Sequence, residues 1–70
     1  MLEKVLIIIM LENDIADLTY AYKEIHKAMD KLKDIDDFPN GQYYELNDIA
    51  EVINDLKISK EVELEILREE

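Results

Sequence analysis

The chain has one histidine, His26, one serine, Ser59, and no cysteine. A nucleophilic site needs a hydroxyl or thiol within hydrogen-bond reach of a base that a third group orients. No spacing in the sequence brings residues 26 and 59 together. His26 follows Ile25 on a helical pattern and reads as a partly exposed helix residue. The eighteen acids place carboxylates close together by chance alone, so no pair stands out for acid–base work. With a single glycine there is no phosphate-cradling loop. No catalytic residue is assigned, no cofactor is expected, and the chain is read as non-enzymatic.

One acidic stretch invites a cation-site test. A twelve-residue loop counted from Asp34 puts Asp36 at position 3 and Glu45 at position 12, as a calcium-binding helix–loop–helix requires. Phe38 then occupies position 5, where an oxygen ligand belongs, and Pro39 position 6, where glycine makes the turn. The stretch reads as a solvated acidic turn, and no metal is expected.

Charge is the strongest compositional signal. Eight bases against eighteen acids give a net charge of −10 and a pI near 4.3. Such a chain is repelled by nucleic acid and by anionic membrane. The charge is also uneven. Residues 1–33 hold five bases and six acids, residues 34–70 three bases and twelve acids, so nearly the whole field belongs to the second half. Two meanings compete: a solvated surface that keeps a small protein soluble, or a face that imitates phosphates and occupies a basic cleft. Small acidic, cysteine-free phage proteins that inhibit restriction, CRISPR or repair enzymes share this general character.

The elements that must carry these charges are written in the apolar pattern. Leu11, Ile15, Leu18, Tyr22, Ile25, Met29 and Leu32 follow spacings of 4 and 3 without interruption, a heptad seam. Ala21 and Ala28 widen the stripe. With no Gly or Pro in residues 1–38, the spacing predicts one long helix, extending over residues 1–34. The run Val5 to Leu11 is apolar throughout and β-branched in part, which suits a buried strand as well as a helix. Asp36-Asp37-Phe38-Pro39-Asn40-Gly41 marks a turn over 35–42, with Pro presetting φ and Asn and Gly tolerating unusual angles. A second helix is predicted near 47–57, with Asp48 and Glu51 in capping-box spacing and Leu46, Ile49, Ile53 and Leu56 buried. After Ser59, Val62, Leu64 and Ile66 alternate with Glu61, Glu63 and Glu65, the period of a half-buried strand, although Ser59 would also cap a third helix. The fold expectation is therefore all-α, a long N-terminal helix packed on one or two shorter C-terminal helices within one domain of 70 residues. The alternative is a small α+β fold with strands near 4–11 and 61–67.

Residues Tyr43 to Ile53, with Ala50, followed by Ile58-Ser59-Lys60-Glu61-Val62, resemble the helix-turn-helix of excisionase and MerR-type DNA-binding domains. The resemblance covers about 25 residues and implies a DNA-reading second helix after Ser59. Two extra residues separate Ala50 from Ser59, and the glycine usual in the turn is absent. Glu61, Glu63, Glu65, Glu69 and Glu70 on that helix oppose phosphate contact.

The functional expectation is a protein–protein interaction module. Its sharper version is an inhibitor from a phage or other mobile element that blocks a basic, nucleic-acid-handling protein. The alternatives are a self-associating helical regulatory or structural protein, or a degenerate helix-turn-helix regulator. Partner-facing candidates are Asp34, Asp36, Asp37, Glu45, Glu61, Glu63 and Glu65, with Tyr20, Tyr43 and Tyr44, because tyrosine supplies contact area at low entropic cost. One of Tyr43 and Tyr44 is expected in the core. Lys23, Lys27 and Lys31 form a basic row at i, i+4 spacing, able to face the acidic half internally or across a dimer. A homodimer is expected through the seam residues Leu11, Ile15, Leu18, Tyr22, Ile25, Met29 and Leu32. With no signal-peptide pattern and no run of about 20 apolar residues, the expected compartment is the cytoplasm, that of the host if the chain is phage-encoded.

Overall fold

The computed structural model describes residues 2–70. Helix α1 spans Leu2–Leu32 and helix α2 spans Asn40–Glu69. They run antiparallel: Lys60 of α2 pairs with Asp14 of α1, and Arg68, further along α2, with the earlier Glu12. The result is a rod of 55 × 14 × 14 Å with a radius of gyration of 16.1 Å. A globular domain of this length has a radius near 11 Å, so the hairpin has a seam rather than an interior.

Residues 5–11 are helical, and no strand occurs among the described residues. The seam of residues 11–32 runs back in phase through Ile8, which is half-buried. Extending an existing helix costs far less than nucleating a separate element, and no Gly or Pro intervenes. The α+β alternative is thereby corrected at both ends, since residues 61–67 belong to α2.

Helix α1 ends by tightening. Asp34 N–H donates to the Lys31 carbonyl at 3.2 Å and Ile35 N–H to the Leu32 carbonyl at 3.1 Å, the short-range bonds that satisfy orphan carbonyls at a helix end. Pro39 occupies the N-cap of α2 with φ −60° and ψ 123°, and Tyr43 N–H donates to its carbonyl at 3.1 Å. The connection is shorter than the sequence suggests. Asn40 and Gly41 open the helix instead of turning the chain, and Gly41 has no positive φ. Asp48 and Glu51 lie eight residues or more inside α2, so they cap nothing. Gly41 therefore carries the entropic cost of glycine with no conformational need for it, and a Cβ there meets nothing within 4 Å. Gly41→Ala is expected to gain about 0.5 kcal/mol and to raise the melting temperature by about 2–4 °C in a circular-dichroism scan.

Helix α2 does not stop at Lys57. Its inward row is Tyr43, Leu46, Ala50, Ile53, Lys57, Lys60, Leu64 and Leu67, an unbroken 3,4 spacing whose members are all buried or half-buried. Ile49 and Leu56, expected inside, are about half exposed, because they stand one step to the side of this row. The long α2 covers the α1 seam within the chain, with Leu11 and Leu64 buried in the open half and Met29 and Ala50 in the loop half. The seam expected to bind a second copy is thus occupied by α2, and no third helix forms. The turn that the helix-turn-helix resemblance implies is absent as well, because α2 passes straight through Ser59.

Two lysines interrupt this seam. Lys57 Nζ lies 3.6 Å from a Glu61 oxygen and Lys60 Nζ 3.1 Å from Asp14 Oδ2. Cations at seam positions fix register at a cost in stability. Lys57→Leu with Lys60→Leu is expected to stabilise the hairpin by about 1–2 kcal/mol, read as a higher urea midpoint at unchanged m-value. The bereaved Asp14 is half exposed, so its lost partner subtracts little.

Candidate interaction surfaces

The hairpin has two flanks of opposite character. One carries a hollow lined by Ile15, Glu61, Leu64, Glu65, Arg68 and Glu69. By the 100° step of a helix, Thr19, His26, Asn47 and Asn54 lie along the same side. Thr19 donates to the Ile15 carbonyl at 2.7 Å, and His26 stacks edge-on against Tyr22 with ring centroids 4.4 Å apart. This flank is mainly polar, and Arg68 of its hollow pairs with Glu12 at 2.8 Å. The other carries a hollow lined by Asp14, Asp17, Leu18, Leu56 and Lys60, and Ile49, Val52 and Ile66 share its side of α2. Ser59 falls on this second flank, so the chain's one serine and one histidine face opposite ways. Among the described residues no group of three carboxylates or imidazoles converges to hold a metal, and Glu45 of the counted loop sits inside α2.

The acidic candidates do not form one surface. Asp34, Asp36 and Asp37 are exposed in the connection. Glu61, Glu63 and Glu65 begin 21 residues into α2, about 32 Å further along the axis at 1.5 Å per residue. Those three also diverge: Glu61 and Glu65 share the polar flank, Glu63 points to the other, and Glu61 is paired with Lys57. The geometry instead continues the loop acids through Glu45 into Asp48, Glu51 and Asp55. Asp48, Glu51 and Asp55 were not separated from the general acidity by sequence alone. The 4,3,4 spacing from Tyr44 to Asp55, once α2 is known to be one helix, is the signal that finds them.

This band is a continuous run of acids without counter-charges, although Asp17, Glu63, Glu65 and Glu69 also lack a Lys or Arg partner among the described residues. Glu12, Asp14, Glu24, Asp30 and Glu61 are ion-paired. Among the described residues Asp34, Asp36, Asp37, Glu45, Asp48, Glu51 and Asp55 have no Lys or Arg partner, and Glu51 accepts only from the Asn47 amide at 3.4 Å. Tyr44 heads the outer ridge of the band and is 66% exposed. Tyr43 is half-buried at the loop end of the inward row, its ring 6.1 Å from that of Tyr44, so the tyrosine expected in the core is only partly covered. Beside them, Leu32, Lys33, Ile35, Phe38 and Asn40 line an open hollow of about 340 Å³ at the loop end. Tyr20 is exposed on the outer face of α1, remote from the band. Lys23, Lys27 and Lys31 also point away from α2, so the basic row does not meet the acidic half inside the chain.

The fold defines a class, the antiparallel two-helix hairpin, with no helix among the described residues long and apolar enough to cross a membrane. No protein-family model matches the chain, and neither a curated protein nor a solved structure is similar enough to match it.

Proposed function

We propose that the protein is a non-enzymatic interaction module whose acidic band engages a basic protein partner, one that normally handles nucleic acid. The supporting observation is the run of unpaired carboxylates from Asp34 through Asp55 with an exposed tyrosine among them. Asp48, Glu51 and Asp55 advance by about 4.5 and 6 Å along the axis, a charge spacing of the same order as the ~3.4 Å per phosphate along one DNA strand. An unpaired acid loses only its hydration on entering a cationic cleft, whereas a paired one must also be released from its own counter-charge. Tyr44 and the loop-end hollow would supply the desolvated contact that charge alone lacks. On this reading the chain acts as an inhibitor of a restriction, CRISPR or comparable component, in the cytoplasm of a cell carrying a phage or other mobile element.

Displacement of fluorescently labelled duplex DNA from a panel of purified basic DNA-binding proteins tests the reading. Displacement from at least one of them, weakening steeply between about 50 and 200 mM salt, is the expected result. Failure to displace duplex from any of them at the lower salt would discard phosphate mimicry.

A further inference from the structure

We propose that the hollow at the loop end is an arginine site, which takes a guanidinium side chain of the basic partner against the rings of Phe38, Tyr43 and Tyr44 and beside the carboxylate of Asp36. The inference rests on the basic-partner reading and names the contact made where the acidic band begins.

Three of the chain's five Phe and Tyr residues line this one hollow. Helix α2 starts directly after Pro39, and the first bond of the helix, from Tyr43 N–H to the Pro39 carbonyl at 3.1 Å, sets Tyr43 and Tyr44 one turn beyond Phe38. The two tyrosine rings lie 6.1 Å apart and meet at 80°, two walls near a right angle. Phe38, Tyr43 and Leu32 are half-buried and so held by packing, whereas Tyr44 is 66% exposed and offers an uncovered ring. The space of about 340 Å³ lies at the small end of the ~300–1,000 Å³ of ligand sites. It has room for one side chain and not for a helix.

Charge selects the kind of side chain. Asp36 lines the hollow, Asp34 and Asp37 flank it, and no Lys, Arg or His occurs in residues 34–56. Lys33 is the cation among the lining residues, and its ammonium lies 3.7 Å from Asp30 Oδ1, back along α1. Ring faces carry the negative end of the aromatic quadrupole and attract cations. An anion is repelled here, and a neutral ligand gains nothing from Asp36. Between the two cationic side chains the hollow favours arginine. A guanidinium is flat and weakly hydrated, so it stacks on a ring while its N–H edge donates to a carboxylate. A lysine ammonium is compact and strongly hydrated, and it gains less in a hollow open to water. Proteins that handle nucleic acid use arginine for both tasks, stacking on bases and pairing with phosphates. A ring beside a carboxylate offers such an arginine what an unstacked nucleotide offers it.

The test titrates the full isotope-labelled chain with blocked tripeptides that carry arginine, lysine or citrulline at the centre, and follows backbone amide shifts by NMR. The arginine peptide is expected to shift residues 35–44 saturably in the millimolar range. The lysine peptide should bind several times more weakly, and the citrulline peptide, nearly the same shape without the charge, should not bind. Tyr44→Leu and Asp36→Asn are each expected to weaken the arginine peptide about two- to fivefold, with helicity unchanged because both positions are exposed. Lys33→Gln is expected to tighten it about twofold, whereas Lys23→Gln, the same charge change on the outer face of α1, leaves it unaltered. Equal binding of the arginine and lysine peptides, or shifts along Asp48, Glu51 and Asp55 with none at 35–44, would overturn the arginine site while duplex displacement still stood for the band. Saturable arginine binding without displacement of duplex from any basic protein would uphold the site and discard phosphate mimicry, so the two readings fail separately.

Discussion

Leu64→Ala is expected to leave most molecules unfolded near physiological temperature, and Leu11→Ala to do the same. Leu11 and Leu64 are 5% and 8% exposed and, with Met29 and Ala50, are the buried apolar residues among those described. Truncating a buried leucine costs about 2–5 kcal/mol, the lost transfer energy plus the cavity left behind. At about 0.05–0.15 kcal/mol per residue, a 70-residue chain holds about 4–10 kcal/mol in all, and cores below about 80 residues rarely supply more than 3–5 kcal/mol. The loss is therefore comparable with the whole. Neither helix is expected to persist alone, because the inner faces of the two helices are each other's solvent shield. The contrast is Val52→Ala, on the same helix but exposed, which should cost under about 0.5 kcal/mol in dilute solution. Thermal melts at 222 nm, run dilute to exclude association, measure both. A Leu64→Ala midpoint within a few degrees of wild type would mean that this seam does not hold the helices together.

These expectations separate what the sequence displays from what it conceals. The α1 seam is legible because every member from Leu11 to Leu32 is apolar, and nothing competes with the 3.6-residue period. The connection is legible through Pro39, although α2 begins directly after it, since Pro preset at the N-cap suits a helix start as well as a turn. The second half of α2 is concealed by its own chemistry. An apolar count loses the seam at Ile53 because Lys57 and Lys60 stand at the next two inward positions, covering the groove with their alkyl stems while their ammonium groups reach Glu61 and Asp14. The outer row of Ile49, Leu56 and Ile66 then draws the eye to the wrong face. Alternation of Val62, Leu64 and Ile66 with glutamates imitates a strand, yet Glu is a good helix former, and only Leu64 of the three is buried. The acidic band follows the same logic. Total acidity is plain in the composition, as is the absence of any Lys, Arg or His from residues 34–56, but that one continuous helix carries Asp48, Glu51 and Asp55, and that Glu12 and Asp14 find their partners across the hairpin, are tertiary facts.

That distinction carries the largest expected effect on binding. Neutralising Asp36, Asp37, Asp48, Glu51 and Asp55 to their amides takes the net charge from −10 to −5 without breaking any ion pair in the hairpin. Stability should hold or rise slightly, since self-repulsion falls and surface substitutions otherwise stay within about 0.5 kcal/mol. Affinity for a basic partner should fall about a hundredfold. Five interfacial charge contacts at about 0.2–1 kcal/mol each total about 3 kcal/mol, and each 1.4 kcal/mol is tenfold. The matched control neutralises Glu12, Asp14, Glu24, Asp30 and Glu61, which changes net charge by the same five units but removes acids already balanced within the chain. If the band is a recognition surface, the first variant loses binding with its melting temperature intact, and the second loses a little stability and keeps most of its binding. Equal losses from the two variants would show that only bulk charge matters, and the acidity would then serve solubility rather than recognition. Displacement titrations of duplex from the captured basic protein, run beside thermal melts of each variant, decide between them.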